Sequence, residues 1–261
     1  MAEEAGAKDK ARGYAAPAIE KGFDVIELLA DSPGGLTISE IAQRLGRSIS
    51  ELFRIIVVME RRRWLYKNPF SDRYTVTYRV LEVAYRATPA QALTLAAAPI
   101  MHDLTLATNQ SCHLVVRAEG RGLVVLRQEN AGPSGFAMRL GAVIDLVTSC
   151  SGHVLLAYTE EERLDAVLAH LPEPWAMPEE QLRKKLSAVR RRGYEKQPSA
   201  RVAGVTDLSY PVFSLGGGIA AALTIPYILM IDGSQAHDLE GIRHLLGEAA
   251  RRISSELGWS A

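Results

Sequence analysis

The sequence has few features that indicate secretion, membrane insertion or a fold stabilised by disulfide bonds. Its 261 residues include two cysteines, Cys112 and Cys150, which are too few for a disulfide framework. No uncharged apolar run reaches the roughly 18 residues that a membrane-spanning helix requires. The first residues, MAEEAGAKDKARGY, mix both charges and lack the apolar segment of a secretory signal. We therefore expect a cytoplasmic protein that does not enter a membrane.

Motifs for metal binding, phosphate binding and catalysis are also missing. The six histidines show no HxH or HExxH spacing, and no CxxC pair is present, so we expect no metal site. The glycines Gly216–Gly218 are not followed by the Lys-Ser/Thr pair of a phosphate loop. Cys112 and His113 are neighbours on a predicted strand and would face opposite sides, so they cannot act as nucleophile and base. We expect no cofactor and no enzymatic activity.

Positive charge is unevenly distributed in a chain whose formal net charge is zero. Residues 41–80 contain nine Arg or Lys against three acids, an excess of about six charges. A local basic excess of this kind is typical of nucleic-acid binding. The apolar content of 48% supports packed cores, in one large domain or two ordinary ones.

The pattern of residues 36–77 predicts a winged helix-turn-helix. Thr37 and Glu40 have the spacing of a capping box, which marks the start of a helix. A second helix is predicted from about Ser48 to Arg62, with one apolar face formed by Leu52, Ile55, Ile56 and Met59. Two short strands rich in aromatic and β-branched residues follow and form a hairpin, the predicted wing, at 64–67 and 73–77.

The second half predicts an α+β domain built on a mainly antiparallel sheet. Pairs of strands joined by glycine-containing turns are predicted at 111–117 with 123–128 and at 208–214 with 219–228. Helices are predicted at 152–158, 160–169, 179–192 and 235–257, and residues 129–150 are predicted to be irregular. The predicted organisation is a flexible tail (1–17), a winged helix-turn-helix (18–80), a linker helix (81–92) and a second domain (93–261).

Several segments together resemble the IclR-type bacterial transcriptional regulators. They include LTISEIAQRLGRSISELFRIIVVMERRRWL, SCHLVV, TSCSGHVLLAYTEEE, RRRGYEKQ and GVTDLSYPVFSLGGGIAAALTI, and the resemblance covers nearly the whole chain after the tail. It implies a winged helix-turn-helix followed by a GAF-like α/β effector domain. The chain departs from the family pattern at Glu51, where a hydroxyl residue is usual, at His153, where Lys is usual, and at Asp207, where an apolar residue is usual.

The resemblance implies contacts of the second helix with the DNA major groove. The residues expected there are Ser48, Ser50, Glu51, Phe53 and Arg54. An acid such as Glu51 accepts from a cytosine amino group, and Phe53 contacts a thymine methyl group unless it belongs to the core. Phosphate contacts are expected from Thr37, Lys67, Asn68 and Arg73. Arg61–Arg63 is more simply a solvated helix end.

For the second domain the resemblance implies a pocket for a small organic acid or aromatic metabolite. The expected lining is Ile144, Cys150, Ser151, Asp207 and Thr224, with Phe136 and Met138 as an apolar lid. Backbone donors at Ser151 and Gly152, at the start of a helix, suit a carboxylate. Asp207 would repel an anion unless it binds a ligand hydroxyl or amine or pairs with Arg139 or Arg201. His113 and His153 are interpreted as packed or capping histidines.

The resemblance further implies a homodimer, formed through helices 19–30 and 78–86, or a tetramer. Such an assembly would bind the half-sites of a double-stranded operator and repress or activate a catabolic operon in response to the effector. The residues leave two other interpretations open. One is an enzyme that carries a winged helix, and the other is a DNA-binding protein without a ligand.

Overall fold

The computed structural model describes residues 16–87, 90–132 and 135–260. Contacts divide the chain into two compact units, Met1–Thr88 and Pro89–Ala261. Within the described ranges, no helix combines the length and apolar character needed to span a bilayer. The predicted tail lies outside the described residues except for its last two positions, and Pro17 already belongs to the first helix.

The first unit is a three-helix core followed by a hairpin and a fourth helix. Its elements are α1 (Pro17–Ala30), α2 (Ile38–Arg44), α3 (Ile49–Arg61), β1 (Leu65–Lys67), β2 (Tyr74–Val76) and α4 (Arg79–Ala87). The strands β1 and β2 pair antiparallel, with Leu65 opposite Val76. Leu52 and Ile56 of α3 are fully buried against Val25 of α1 and Ile41 of α2. The predicted winged helix-turn-helix is confirmed.

Local sequence determines where α2 and α3 begin. At α2, the Thr37 hydroxyl accepts from the Glu40 N–H at 3.3 Å, and the Thr37 N–H donates to the Glu40 carboxylate at 2.7 Å. The same reciprocal arrangement joins Ser48 and Glu51 at the start of α3. Between the two helices Gly46 adopts a φ of 63°, a conformation that glycine tolerates without steric cost. Two capping boxes therefore define the helix-turn-helix.

The second unit contains a six-stranded sheet in the order β5-β4-β3-β8-β7-β6, and every neighbouring pair is antiparallel. Its strands are β3 (Cys112–Ala118), β4 (Arg121–Gln128), β5 (Val143–Ile144), β6 (Glu195–Pro198), β7 (Val205–Phe213) and β8 (Ile219–Ile228). Its helices are α5 (Ala90–Thr108), α6 (Cys150–Ala157), α7 (Glu161–Ala169), α8 (Glu179–Arg192) and α9 (Leu239–Glu256).

Helices cover both faces of this sheet and create two separate cores. One core packs α5 and α9 against side chains such as Leu114 and Leu223. The other packs α6, α7 and α8 against Val115 and Ala222, the next residues along the same strands. This alternation follows from the two-residue period of a strand. The predicted α+β class with a mainly antiparallel sheet is confirmed.

Some element boundaries differ from the sequence-based predictions. The segment 129–150 contains β5, and β6 was not predicted at all. Both are short strands at opposite edges of the sheet, where a few pairing partners provide little sequence pattern. The last helix begins at Leu239 because the Asp238 side chain caps it by accepting from the Gly241 N–H at 2.8 Å. The predicted linker helix, 81–92, spans the end of α4, residues 88–89 and the start of α5.

Candidate functional sites

The exposed face of α3 carries polar and aromatic side chains that the fold does not use. The side chains of Ser50 and Arg54 have no hydrogen-bond or ion-pair partner among the described residues. Phe53 is 54% exposed, so it does not belong to the core of this unit. An exposed helix face with a free guanidinium and a free hydroxyl fits the dimensions and donor requirements of a DNA major groove.

Ser48 and Glu51, also predicted to contact bases, are engaged within the fold. The Glu51 carboxylate accepts from the Ser48 N–H at 3.0 Å and from the Ser48 hydroxyl at 3.0 Å. It also accepts from the Lys21 ammonium of α1 at 3.0 Å. The hydrogen bond from the Ser48 backbone, followed by Lys21, lowers the pKa of Glu51 to about 2. Reading a cytosine with Glu51, as the sequence suggested, would require these bonds to break.

The predicted phosphate-contacting residues are also bonded within the unit. Arg73 donates to both Glu40 carboxylate oxygens, at 3.0 and 3.1 Å, and to the Gly35 carbonyl at 2.7 Å. Arg73 therefore connects the wing to α2 through these bonds. Thr37 caps α2, as described above, which leaves its hydroxyl hydrogen as its remaining donor.

The wing itself is a tight turn closed by its own side chains. Asn68 accepts from the backbone N–H groups of Phe70 and Ser71, at 2.9 and 3.2 Å, so its side chain shapes the turn. Lys67 pairs with Asp72 at 2.6 Å, and this hydrogen bond raises the pKa of Lys67. Phe70, at the tip, is 96% exposed. Phe70 is not among the residues predicted from the sequence to contact DNA, although an aromatic residue inside a polar turn is a visible signal.

The second unit contains a cavity of about 50 Å³ between the sheet and the start of α6. A cavity needs roughly 10–15 Å³ of such space to hold one water molecule, so this cavity is larger than a single water site. Each of the seven residues predicted for the effector pocket lines it: Phe136, Met138, Ile144, Cys150, Ser151, Asp207 and Thr224. Residues from three strands, one helix and the connecting segments therefore converge on one space.

Strand pairing explains how the polar part of this lining is assembled. Thr224 of β8 lies opposite His113 of β3 on one side and opposite Ser209 of β7 on the other. Residues that lie directly opposite in adjacent strands project from the same face of the sheet. Asp207 precedes Ser209 by two positions and shares this face. The hydroxyls of Ser209 and Thr224 are 2.9 Å apart and bond to each other.

The start of α6 forms the wall opposite the sheet and contributes hydrogen-bond donors to the cavity. The Ser149 side chain caps the helix by accepting from the Gly152 N–H at 3.0 Å. The N–H groups of Cys150 and Ser151 have no acceptor among the described residues. A Cβ on Gly152 would lie 2.5 Å from the Leu146 backbone, so the close approach of α6 to this loop requires glycine. Free N–H groups at a helix start favour an anion.

The ionisable residues of the cavity are adapted to burial. The Cys150 thiol donates to the carbonyls of Asp207 and Glu195, at 3.3 and 3.4 Å, and burial raises its pKa well above the usual value. Burial also raises the pKa of Asp207, and a hydrogen bond from Ser199 partly opposes this. The proposed ion pair of Asp207 with Arg139 or Arg201 is not formed; Arg201 donates to the Val143 carbonyl at 2.9 Å instead.

The two buried histidines of the second unit, His113 and His153, are neutral near pH 7. Burial lowers the pKa of His113 to about 4, and it lowers that of His153 to about 4 as well. His153 lies 2.7 Å from the Val147 carbonyl through Nε2, which agrees with its interpretation as a packed histidine. His113 lines the cavity and His153 does not. The Nδ1 atoms of both histidines have no hydrogen-bond partner among the described residues. Among the described residues, no cluster of potential metal ligands is present.

Two family models match the chain, and together they span both units. One describes the bacterial transcriptional regulator IclR C-terminal domain and matches residues 86–255. The other describes the IclR helix-turn-helix domain and matches residues 18–69. The chain belongs to the IclR family. The first unit is therefore the DNA-binding domain of an IclR-type transcriptional regulator, and the second is its effector domain.

Individual relatives agree with this assignment. The HTH-type transcriptional regulator KdgR of Escherichia coli K12 is 24% identical over 244 residues, which cover 92% of each chain. Among solved structures, an IclR homologue of Microbacterium hydrocarbonoxydans complexed with 4-hydroxybenzoate has a TM-score of 0.76 and 24% identity, covering 92% of this chain and 98% of that one. IclR of Thermotoga maritima has a TM-score of 0.73 and 23% identity, covering 94% and 100%.

Proposed function

We propose that this IclR-type regulator is a cytoplasmic, non-enzymatic DNA-binding protein whose operator affinity is controlled by a small carboxylic acid. The observation that carries the proposal is the cavity at the start of α6. There, the backbone N–H groups of Cys150 and Ser151 have no acceptor among the described residues, and the sheet contributes Thr224, His113, Asp207 and apolar side chains to the same lining. The 4-hydroxybenzoate bound to the Microbacterium hydrocarbonoxydans homologue supports an aromatic or similarly small acid.

The arrangement favours binding over catalysis. The only thiol in the cavity lining, Cys150, donates to two carbonyls and has a raised pKa, so it is a poor nucleophile. Its location supports a structural role in joining α6 to β6 and β7. An effector acid in contact with α6 and the sheet would stabilise the arrangement that it binds best, which is the requirement for control of a distant DNA-binding domain.

A direct test uses the full chain and a panel of acids that includes benzoate, 4-hydroxybenzoate and short aliphatic acids. We expect at least one acid to raise the melting temperature and to bind in isothermal titration calorimetry without being converted. Ser151→Asp should abolish this binding because it places a carboxylate at the anion site. Ser187→Asp, an exposed position on α8, is the matched control. Equal acid binding by both variants would contradict the proposed site.

We also propose that the protein acts as a homodimer or tetramer. Ile19 and Phe23 of α1 are 60% and 61% exposed, and Leu81 of α4 is 52% exposed. Large apolar side chains on adjacent helical turns support a protein contact. Sedimentation of Phe23→Glu should show a smaller assembly than that of the wild type, whereas Gln43→Glu on α2 should sediment like the wild type. An unchanged assembly for Phe23→Glu would exclude α1 from the contact.

A further inference from the structure

His113 is the one polar residue in the sheet wall of the cavity whose position the fold does not explain. The side chain is 4% exposed, lines the cavity, and has an Nδ1 atom without a partner among the described residues. Leaving a buried polar atom unpaired is costly, so such an atom normally has a partner in the functional state. The imidazole borders the cavity, so a ligand bound there is the nearest possible partner for the ring.

Its nearest polar neighbours in the sheet do not form this bond. Thr224 lies opposite His113 in β8, but its hydroxyl is engaged with that of Ser209 at 2.9 Å. Asp207 lies on β7, two strands from β3 and two residues away from the position directly across, which places the two residues about 12 Å apart at the usual strand spacing and rise. The wall therefore has two separate polar positions with apolar and hydroxyl side chains between them.

The protonation state of His113 restricts the partner. With a pKa of about 4, the imidazole is neutral near pH 7 and has one donor nitrogen and one acceptor nitrogen. A hydroxyl both donates and accepts, so it satisfies the ring in either tautomer. A second carboxylate is disfavoured at this wall because Asp207 is present without a cationic partner among the described residues.

We propose that the effector carries a hydroxyl group, separate from its carboxylate, and that this hydroxyl forms a hydrogen bond with His113. The carboxylate occupies the start of α6, and the hydroxyl reaches the sheet wall. The inference rests on the proposed function, because it assigns the second end of the same acid. His113 thus becomes a residue that selects among acids of similar size.

The test compares pairs of acids that differ by one hydroxyl, with benzoate against 3-hydroxybenzoate and 4-hydroxybenzoate as probes. Calorimetry on the full wild-type chain should show at least one hydroxybenzoate binding about tenfold more tightly than benzoate. His113→Phe should bring this ratio close to one while benzoate affinity changes by less than about twofold. His113→Asn keeps a polar atom near the Nδ1 position and should retain part of the preference. His102→Phe, at an exposed histidine of α5, should behave as the wild type.

The outcomes separate this inference from the proposed function. If benzoate binds at the start of α6 but the hydroxybenzoates bind no more tightly, or if His113→Phe keeps their advantage, the role of His113 is wrong and the acid site stands. If none of the three acids binds, the role of His113 fails, and the short aliphatic acids of the panel decide whether the acid site stands. His113→Phe removes an unpaired buried nitrogen, so its melting temperature should match or exceed that of the wild type. If this variant does not fold, His113→Asn decides the question by its hydroxybenzoate-to-benzoate ratio.

Discussion

Arg54 provides the sharpest test of the DNA-reading surface. It lies on the exposed face of α3, and its guanidinium has no partner among the described residues, so binding DNA would break no existing bond. A good bidentate contact to a guanine contributes about 1–3 kcal/mol, and a dimer on two half-sites would lose this amount twice. Arg54→Ala should therefore weaken operator binding by about 2–6 kcal/mol in total while leaving the melting temperature nearly unchanged.

Fluorescence anisotropy distinguishes a contact with a base from a contact with a phosphate. The titration uses DNA fragments from upstream of the gene and is repeated at several salt concentrations. Loss of a base contact weakens binding without changing the salt dependence, whereas loss of a phosphate contact lowers its slope by about one for each contact removed. Arg44→Ala, on the exposed side of α2, is the matched control for charge. An unchanged operator affinity of Arg54→Ala would show that Arg54 does not contact DNA. A lower slope of the salt dependence would show that Arg54 contacts a phosphate and not a base.

Three further predictions concern residues already bonded in the structure. Folding lowers the pKa of Glu51 to about 2, from an unfolded value near 4.3. The stabilising contribution of Glu51 is therefore fully present above the unfolded pKa and is lost as pH falls from about 5 toward 2. Glu51→Gln should make the melting temperature less dependent on pH in that interval. Gly152→Ala should destabilise by about 1–3 kcal/mol in urea unfolding, because its Cβ would meet the Leu146 backbone; Gly141→Ala, with open space but positive φ, measures backbone strain alone. Cys150 should resist maleimide labelling in the native protein and react after denaturation, and rapid native labelling would contradict its burial.

The helix-turn-helix was predictable because its signals are local. The Thr37–Glu40 spacing and the apolar positions of α3 depend on residues a few positions apart, and both agree with the structure. Ser48 and Glu51 have the same spacing and form a second capping box, a local signal that does not depend on how the chain differs from family members. Helix capping accounts for the acid at position 51 within the protein, and a contact of Glu51 with DNA stays a prediction.

The cavity could not be predicted from the residue pattern of any single strand. Its seven expected residues came from the resemblance, since Ile144 and Asp207 are far apart in the sequence and no spacing relates them. The pairing of β3 with β8 brings His113 opposite Thr224, and this register becomes visible only in the folded sheet. Alternation along β3 showed that Cys112 and His113 face opposite sides, but it could not show which side contains a cavity.

The bond between Arg73 and Glu40 has a consequence for how this domain varies among relatives. The guanidinium contacts two carboxylate oxygens and the Gly35 carbonyl at once, a geometry that the single ammonium of lysine cannot reproduce. Replacing either partner alone leaves the other charge without its ionic partner. Positions 40 and 73 should therefore covary as a pair in an alignment of homologues, independently of the DNA sequence that each homologue binds.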